Sequence, residues 1–205
     1  MTALAAAADI DTASSLTVIV NKTRPFDPVD YAAPDLRPVK VAYANPPTMR
    51  SEAATAVEKM FAAFTAETGL AMQSQSAYRS YTVQKSVYAG WVASRGQASA
   101  DQTSARAGFS EHQTGLAIDI SAKPATCTLA QCFADTPQGE WLAANSWKYG
   151  FVLRFPDGMT SVTGYEFEPW HYRYIGVALA ADYHASGATT LEQYFGLPPA
   201  PDYLK

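Results

Sequence analysis

The sequence has no run approaching the roughly 20 apolar residues that span a bilayer, so no transmembrane segment is expected. It has no Lys/Arg cluster either. Fifteen basic residues against nineteen acidic ones leave a net charge of −4. That balance argues against nucleic acid as a partner, because a phosphate backbone demands a basic face. Met1 to Ala13 is rich in alanine but has neither a basic start nor a strongly apolar stretch. It reads as a poor signal peptide, and residues 1–15 read as a disordered tail. Internal repeats are absent. Cysteine is scarce: Cys127 and Cys132 are the only two, with four residues between them. They are two separate buried thiols, half of a Cys-His zinc site without a paired knuckle, or a loop-closing disulfide. The pairing and loop context favour the disulfide, and with it an oxidising compartment.

What is present describes one ordinary domain. The chain has 205 residues, 48% of them apolar, enough for a real core. Leu16 to Val20 is a short β-prone run. From residue 25 to 47 the chain holds Pro25, Pro28, Pro34, Pro38, Pro46 and Pro47. This stretch is expected as an extended arm of the same domain, packed through Tyr31, Leu36, Val39, Val41 and Tyr43. Ser51 to Thr68 reads as a helix, since Val57, Met60, Phe61 and Phe64 recur on one face and Gly69 follows as a stop. Leu70 to Tyr78 reads as a strand. Ser80 is placed to cap a second helix, with Val83, Val87, Tyr88, Trp91 and Val92 as its buried face and Gly96 as its end. Residues 97–111 look like a polar loop. Leu116, Ile118 and Ile120 alternate with Ala117, Asp119 and Ser121, the period of a strand whose apolar side faces the core. Thr136-Pro137 opens a third helix reaching Gly150. Phe151–Phe155 and Trp170–Ile175 follow as strands, and Val177–His184 as a helix. Helices around a mostly antiparallel sheet make this an α+β fold.

Two of the three histidines carry the chemistry. His112 lies in Ser110-Glu111-His112-Gln113-Thr114-Gly115-Leu116-Ala117-Ile118-Asp119, and His171 closes Glu168-Pro169-Trp170-His171. Asp119 is a carboxylate in an otherwise apolar strand, which is costly unless it is paired or bound to a cation. Pro169 keeps Glu168 out of the helical region and fixes its relation to His171. Two imidazoles, a ligating carboxylate and a spare carboxylate are the inventory of a hydrolytic zinc centre with an open position for water. His184 reads as structural or exposed.

Together with Ser76-Ala77-Tyr78-Arg79-Ser80-Tyr81-Thr82-Val83-Gln84, these segments resemble the VanY-type zinc D-alanyl-D-alanine carboxypeptidases. That family shares its fold with D-Ala-D-Ala dipeptidases and the hedgehog signalling domain. The likeness runs over residues 16–196. Cys132 to Gly139 with Trp141-Leu142 is similar to secreted bacterial members, and Ala107 stands where relatives often carry proline. The resemblance implies a single hedgehog/DD-peptidase-like domain over residues 16–205. It implies His112, Asp119 and His171 as Zn²⁺ ligands, Glu168 as general base and Arg79 as oxyanion stabiliser. Gln84 and Ser110 match positions that hold the peptide terminus in related enzymes. The implied reaction is removal of the terminal D-Ala from peptidoglycan stem peptides, outside the cytoplasm, by a chain expected to act as a monomer. An LD-carboxypeptidase, a D-Ala-D-Ala dipeptidase and a wall endopeptidase use the same centre. A non-catalytic zinc-containing wall-binding module is the alternative from another class.

Overall fold

The structure is a computed structural model that describes residues 1–204. Its elements are α1 (Ala3–Ala7), β1 (Leu36–Pro38), β2 (Thr48–Arg50), α2 (Ser51–Thr68), β3 (Ala71–Ser76), α3 (Tyr81–Arg95) and α4 (Gln97–Thr103). They continue with β4 (Ala117–Lys123), α5 (Pro137–Asn145), β5 (Phe151–Leu153), α6 (Thr160–Thr163), β6 (His171–Tyr174), α7 (Val177–Ser186) and α8 (Leu191–Tyr194). β3, β4, β6 and β5 form, in that order, an antiparallel sheet. β1 and β2 form a separate two-stranded pair within the proline-rich arm and its exit. Among the described residues no helix is long and apolar enough to cross a membrane.

The sheet has two unlike faces, and alternation along each strand makes them so. Ile118 and Ile120 of β4, Tyr172 and Tyr174 of β6 and Phe151 of β5 point to one side. There they pack with Val57, Met60, Phe61 and Phe64 of α2. Each such side chain contributes about 1.5–3 kcal/mol by leaving water, so the periodic stripe of α2 fastens that helix to the sheet. Asp119, His171 and Arg173 point to the other side and are also buried. Charges can stay there only because they meet partners.

Several expectations are corrected. Residues 1–15 are not a loose tail. Thr2 caps α1 and hydrogen-bonds Asp182, and Ala5 is buried against α7 and α8. Leu16–Val20 is not a strand, although Val18, Ile19 and Val20 are buried. Its carbonyls are claimed by arginines instead of a neighbouring strand: Arg173 Nη2 donates to Val18 at 2.7 Å and Arg24 Nε to Ile19 at 3.2 Å. Residues 97–103 form α4 rather than loop, fixed by buried Ala100 and by Asp101, which accepts from Tyr88 and Arg106. Ser80 does cap α3 and Gly96 ends it, yet the one buried residue of α3 is Gln84. Val83 is 49% exposed, because the helix lies along the rim of a cavity instead of on the core. Tyr43, expected as an anchor of the arm, is also exposed. The cysteines form the disulfide. His184 stacks on Trp147 with ring centroids 4.4 Å apart.

Candidate metal centre

Asp119 and His171 are 52 residues apart in sequence but directly opposed in register between β4 and β6. Side chains at such positions stand about 5 Å apart at Cβ. His112 arrives from the turn Glu111–Thr114, which Gly115 closes at φ 70°. A side chain on Gly115 would strike Leu36 at 2.7 Å, so glycine is required for the turn to sit against the arm. Glu168 is brought in by a turn in which the His171 N–H donates to the Glu168 carbonyl at 3.0 Å. Pro169 holds the second position, where its fixed φ suits the bend.

The three expected ligands converge. His112 Nε2 lies 3.2 Å from Asp119 Oδ2, and His171 Nδ1 lies 3.0 Å from Asp119 Oδ1. One donor atom from each residue falls within 4.8 Å of the others. The second nitrogen of each ring is committed elsewhere. His112 Nδ1–H donates to the Ala77 carbonyl at 2.6 Å, and His171 Nε2–H faces Glu111 Oε2 at 3.4 Å. Each imidazole therefore turns a lone pair towards the Asp119 carboxylate, an arrangement that repels unless a cation or proton lies between. Backbone- and carboxylate-oriented imidazoles are the usual outer support of a metal site. The donor set of two imidazole nitrogens and one carboxylate suits zinc.

Glu168 Oε2 is 3.8 Å from His171 Nδ1, with its side chain 12% exposed. Arg79 reaches the same space from the loop between β3 and α3. It is largely enclosed, its Nε is buried without a hydrogen-bond partner, and its charge is felt by both Asp119 and Glu168. Ser110 is buried at the start of the His112 turn, and its hydroxyl makes no capping bond. Arg79, Ser110, the three expected ligands and Glu168 line one cavity of about 420 Å³, a size typical of ligand sites. Gln84 does not line it. Its amide Nε2 donates to the Ala105 carbonyl at 2.7 Å from behind the wall, and Oε1 has no partner.

A buried ionic network supports this face and escaped the sequence reading. Glu111 Oε1 accepts from Arg154 Nε at 2.8 Å and from Arg173 Nη1 at 3.1 Å. Arg154 also pairs with Glu192 at 2.6 Å, and Asn21 donates to Glu192 at 3.0 Å. Two carboxylates balance two guanidiniums, and removing one member of such a set costs about 3–5 kcal/mol. Arg173 alternates with Tyr172 and Tyr174 in a short strand, so it carried the same cue as Asp119: a charge at a position that must be buried.

Burial pushes the Glu168 carboxyl up to about 8, with Asp119 adding to the effect and His171 and Arg79 opposing it. Burial works against a charged His171, but the hydrogen bonds it donates to Asp119 and Glu111 outweigh it and hold the ring up to about 9. Burial, then Arg79, lowers His112. Asp119 and Glu111 stay far below the carboxylate range, the neighbouring cationic groups overcoming burial. In metal-free protein the signs give a pH profile. Glu168 and His171 bind protons more tightly folded than unfolded, so their stabilisation is lost as pH rises towards their folded values. Asp119 and Glu111 are ionised in both states above 6.5, and His112, whose folded value is lowered, adds only a smaller opposing rise that is complete by about pH 7.5. The Tm of chelated protein is therefore expected to fall between pH 6.5 and 9, with Glu168→Gln flattening the lower part. A Tm that is level or rising across this window in calorimetry would contradict the assignment.

Residues 46–177 match the VanY family of D-alanyl-D-alanine carboxypeptidases. Over 170 residues the chain is 39% identical to YodJ of Bacillus subtilis (strain 168), which bears a provisional carboxypeptidase name. That match covers 83% of this chain and 62% of YodJ. A D-alanyl-D-alanine carboxypeptidase of Enterococcus faecium is 39% identical over 99 residues, covering 48% of this chain and 28% of its own length. The chain thus spans less than two thirds of these curated relatives. Among solved structures, the LdcB LD-carboxypeptidase superposes with a TM-score of 0.82 at 36% identity, covering 90% of this chain and 87% of LdcB. The D,D-pentapeptidase VanY of a VanB-type resistance cassette, solved with Zn(II), superposes with a TM-score of 0.70 at 28% identity. It covers 86% of this chain and 97% of that one.

Proposed function

Because the chain belongs to the VanY family of D-alanyl-D-alanine carboxypeptidases, we propose that it hydrolyses the terminal D-Ala-D-Ala amide of peptidoglycan stem peptides as a zinc enzyme. The observation that carries this reading is Arg79, a guanidinium with an unpartnered buried Nε beside a three-donor cluster and a proton-hungry carboxylate. A purely structural metal needs neither Arg79 nor Glu168, which weighs against the wall-binding alternative. His112, Asp119 and His171 hold the ion. When bound there, zinc supplies a water acidified towards neutrality and a Lewis-acidic contact for the scissile carbonyl. Glu168 removes a proton from the attacking water at its carboxylate, then delivers it to the departing amine of the terminal D-alanine. Arg79 donates to the carbonyl oxygen as it gains charge. Ser110 offers its free hydroxyl to the substrate terminus. Gln84 acts at one remove, by fixing the cavity wall at Ala105. A disulfide-closed loop and a cell-wall substrate support work outside the cytoplasm.

Arg79→Gln is expected to lower kcat by on the order of 10²–10³, the usual cost of one oxyanion donor, with zinc content unchanged. Steady-state kinetics beside metal analysis would check both halves.

A second reading is favoured by one observation: the higher TM-score and identity with the LD-carboxypeptidase LdcB. One experiment separates the possibilities. D-alanine release is measured from a stem pentapeptide, a stem tetrapeptide and free D-Ala-D-Ala, with chelator and with zinc restored. Zinc-dependent release from the pentapeptide supports the DD-carboxypeptidase. Release from the tetrapeptide alone moves the activity to the LD bond, and preference for the free dipeptide moves it to a dipeptidase.

A further inference from the structure

The cavity continues past the metal centre along α3. Arg79 lies just before α3, whereas Trp91 and Arg95, which line the same cavity, lie in its last turns. At about 1.5 Å per residue, these two sit roughly 15 and 21 Å along the axis from Tyr81. An extended peptide covers about 3.3–3.6 Å per residue. With the reach of an arginine side chain, that distance corresponds to a substrate residue about three or four positions upstream of the scissile bond.

The charge pattern says what that residue carries. The chain has eight arginines. Arg24, Arg37, Arg50, Arg106, Arg154 and Arg173 all make ion pairs. Only Arg79 and Arg95 have none among the described residues, and these are the two arginines that line the cavity. Arg95 is held in place without a counter-ion, its guanidinium 4.1 Å above the Trp91 ring. Stacking of this kind orients the planar fork while leaving its N–H groups free. Elsewhere on the cavity wall, Leu129 of the disulfide-closed loop adopts φ 49° and presents a half-exposed apolar side chain.

We propose that Trp91 and Arg95 form a distal subsite that receives a carboxylate-bearing residue of the substrate peptide, upstream of the bond that is cut. Trp91 packs on the peptide and pre-orients Arg95, which donates to the carboxylate. The subsite rests on the reading of the cavity as a peptide hydrolase and specifies which peptides it selects. It makes the protein a reader of an oligomeric, anionic stem rather than of a free dipeptide.

The turnover test uses the zinc-loaded parent, Arg95→Gln and Arg95→Lys proteins and two pentapeptides ending in D-Ala-D-Ala. In each, the third residue upstream of the scissile bond is a glutamate, with a free carboxylate in one peptide and an amide in the other, and the peptides are otherwise identical. The parent is expected to favour the carboxylate peptide in kcat/KM by about tenfold, the size of one charge-assisted hydrogen bond, with the difference in KM. In Arg95→Gln the ratio falls to near one, and Arg95→Lys restores part of it. The same ratio is read without turnover from tryptophan fluorescence titrations of the Glu168→Gln protein, with and without Arg95→Gln. A parent with no preference, or an Arg95→Gln protein that keeps it, overturns the subsite. Absence of cleavage of either peptide overturns the DD-carboxypeptidase reading instead, and the binding ratio then decides the subsite alone.

Discussion

Glu168→Gln is expected to lower kcat by about 10²–10⁴, the range for loss of a positioned general base, while zinc still binds at one equivalent. Glutamine keeps the shape of the side chain and its place after the Phe155 carbonyl, which accepts the residue's backbone N–H at 3.0 Å. What it loses is the ability to take a proton. Folding is not expected to suffer. Burial pushes the carboxyl up to about 8, so the native site disfavours the ionised form, and an uncharged amide removes that penalty at pH 8. The chelated variant should therefore melt at or above the parent's temperature there. Kinetics, metal content and calorimetry on one preparation separate a chemical role from a structural one. Turnover within tenfold of the parent would remove Glu168 from the reaction.

The cluster of His112, Asp119 and His171 was legible because burial rules act locally. A carboxylate at an alternating position between Ile118 and Ile120 needs a partner wherever the rest of the chain goes, and Glu-Pro-x-His limits its own geometry. Helix α2 announced itself by stripe and stop, and α5 by its Thr136 cap and Pro137, although α5 ends at Asn145 and a separate 3₁₀ turn, Ser146–Tyr149, carries the chain to Gly150. Glu111, Arg154, Arg173 and Glu192 did not form a pattern, because their partners come from segments 38 to 62 residues apart and spacing does not encode such pairs. α4 was missed because Gln97–Thr103 has no apolar period, and packing of Ala100 and the Asp101 contacts hold it instead. Leu16–Val20 had the propensity of a strand but found arginines where a strand needs a neighbour. Gln84 kept its place near the site while its amide was spent on the Ala105 carbonyl. In each case tertiary partners overrode local preference.

Asp119→Asn should separate a metal centre from a hydrogen-bonded histidine pair. Asp119 is 6% exposed and touches both imidazoles, Oδ1 on His171 and Oδ2 on His112. If the cluster existed only to store a proton, asparagine would serve almost as well. Its amide N–H donates to the His112 Nε2 lone pair, its oxygen accepts from His171, and the fold survives. For a dication the exchange is severe. One ligand charge disappears and the amide oxygen is a weaker donor than a carboxylate. Zinc affinity is expected to fall by more than the roughly 10–100-fold that outer-shell partners are worth. Activity at equimolar zinc disappears with it. The stabilisation that zinc confers on the parent, which scales as the logarithm of concentration over Kd, shrinks accordingly. His171 also loses the Asp119 charge that helps hold it up to about 9, so the chelated variant melts with a shallower dependence on pH between 6.5 and 9. Competitive zinc titration and calorimetry measure these effects independently of turnover. A variant that keeps zinc within tenfold of the parent's affinity would mean that the carboxylate facing the two lone pairs is there for a proton, and that the catalytic ion sits elsewhere or not at all.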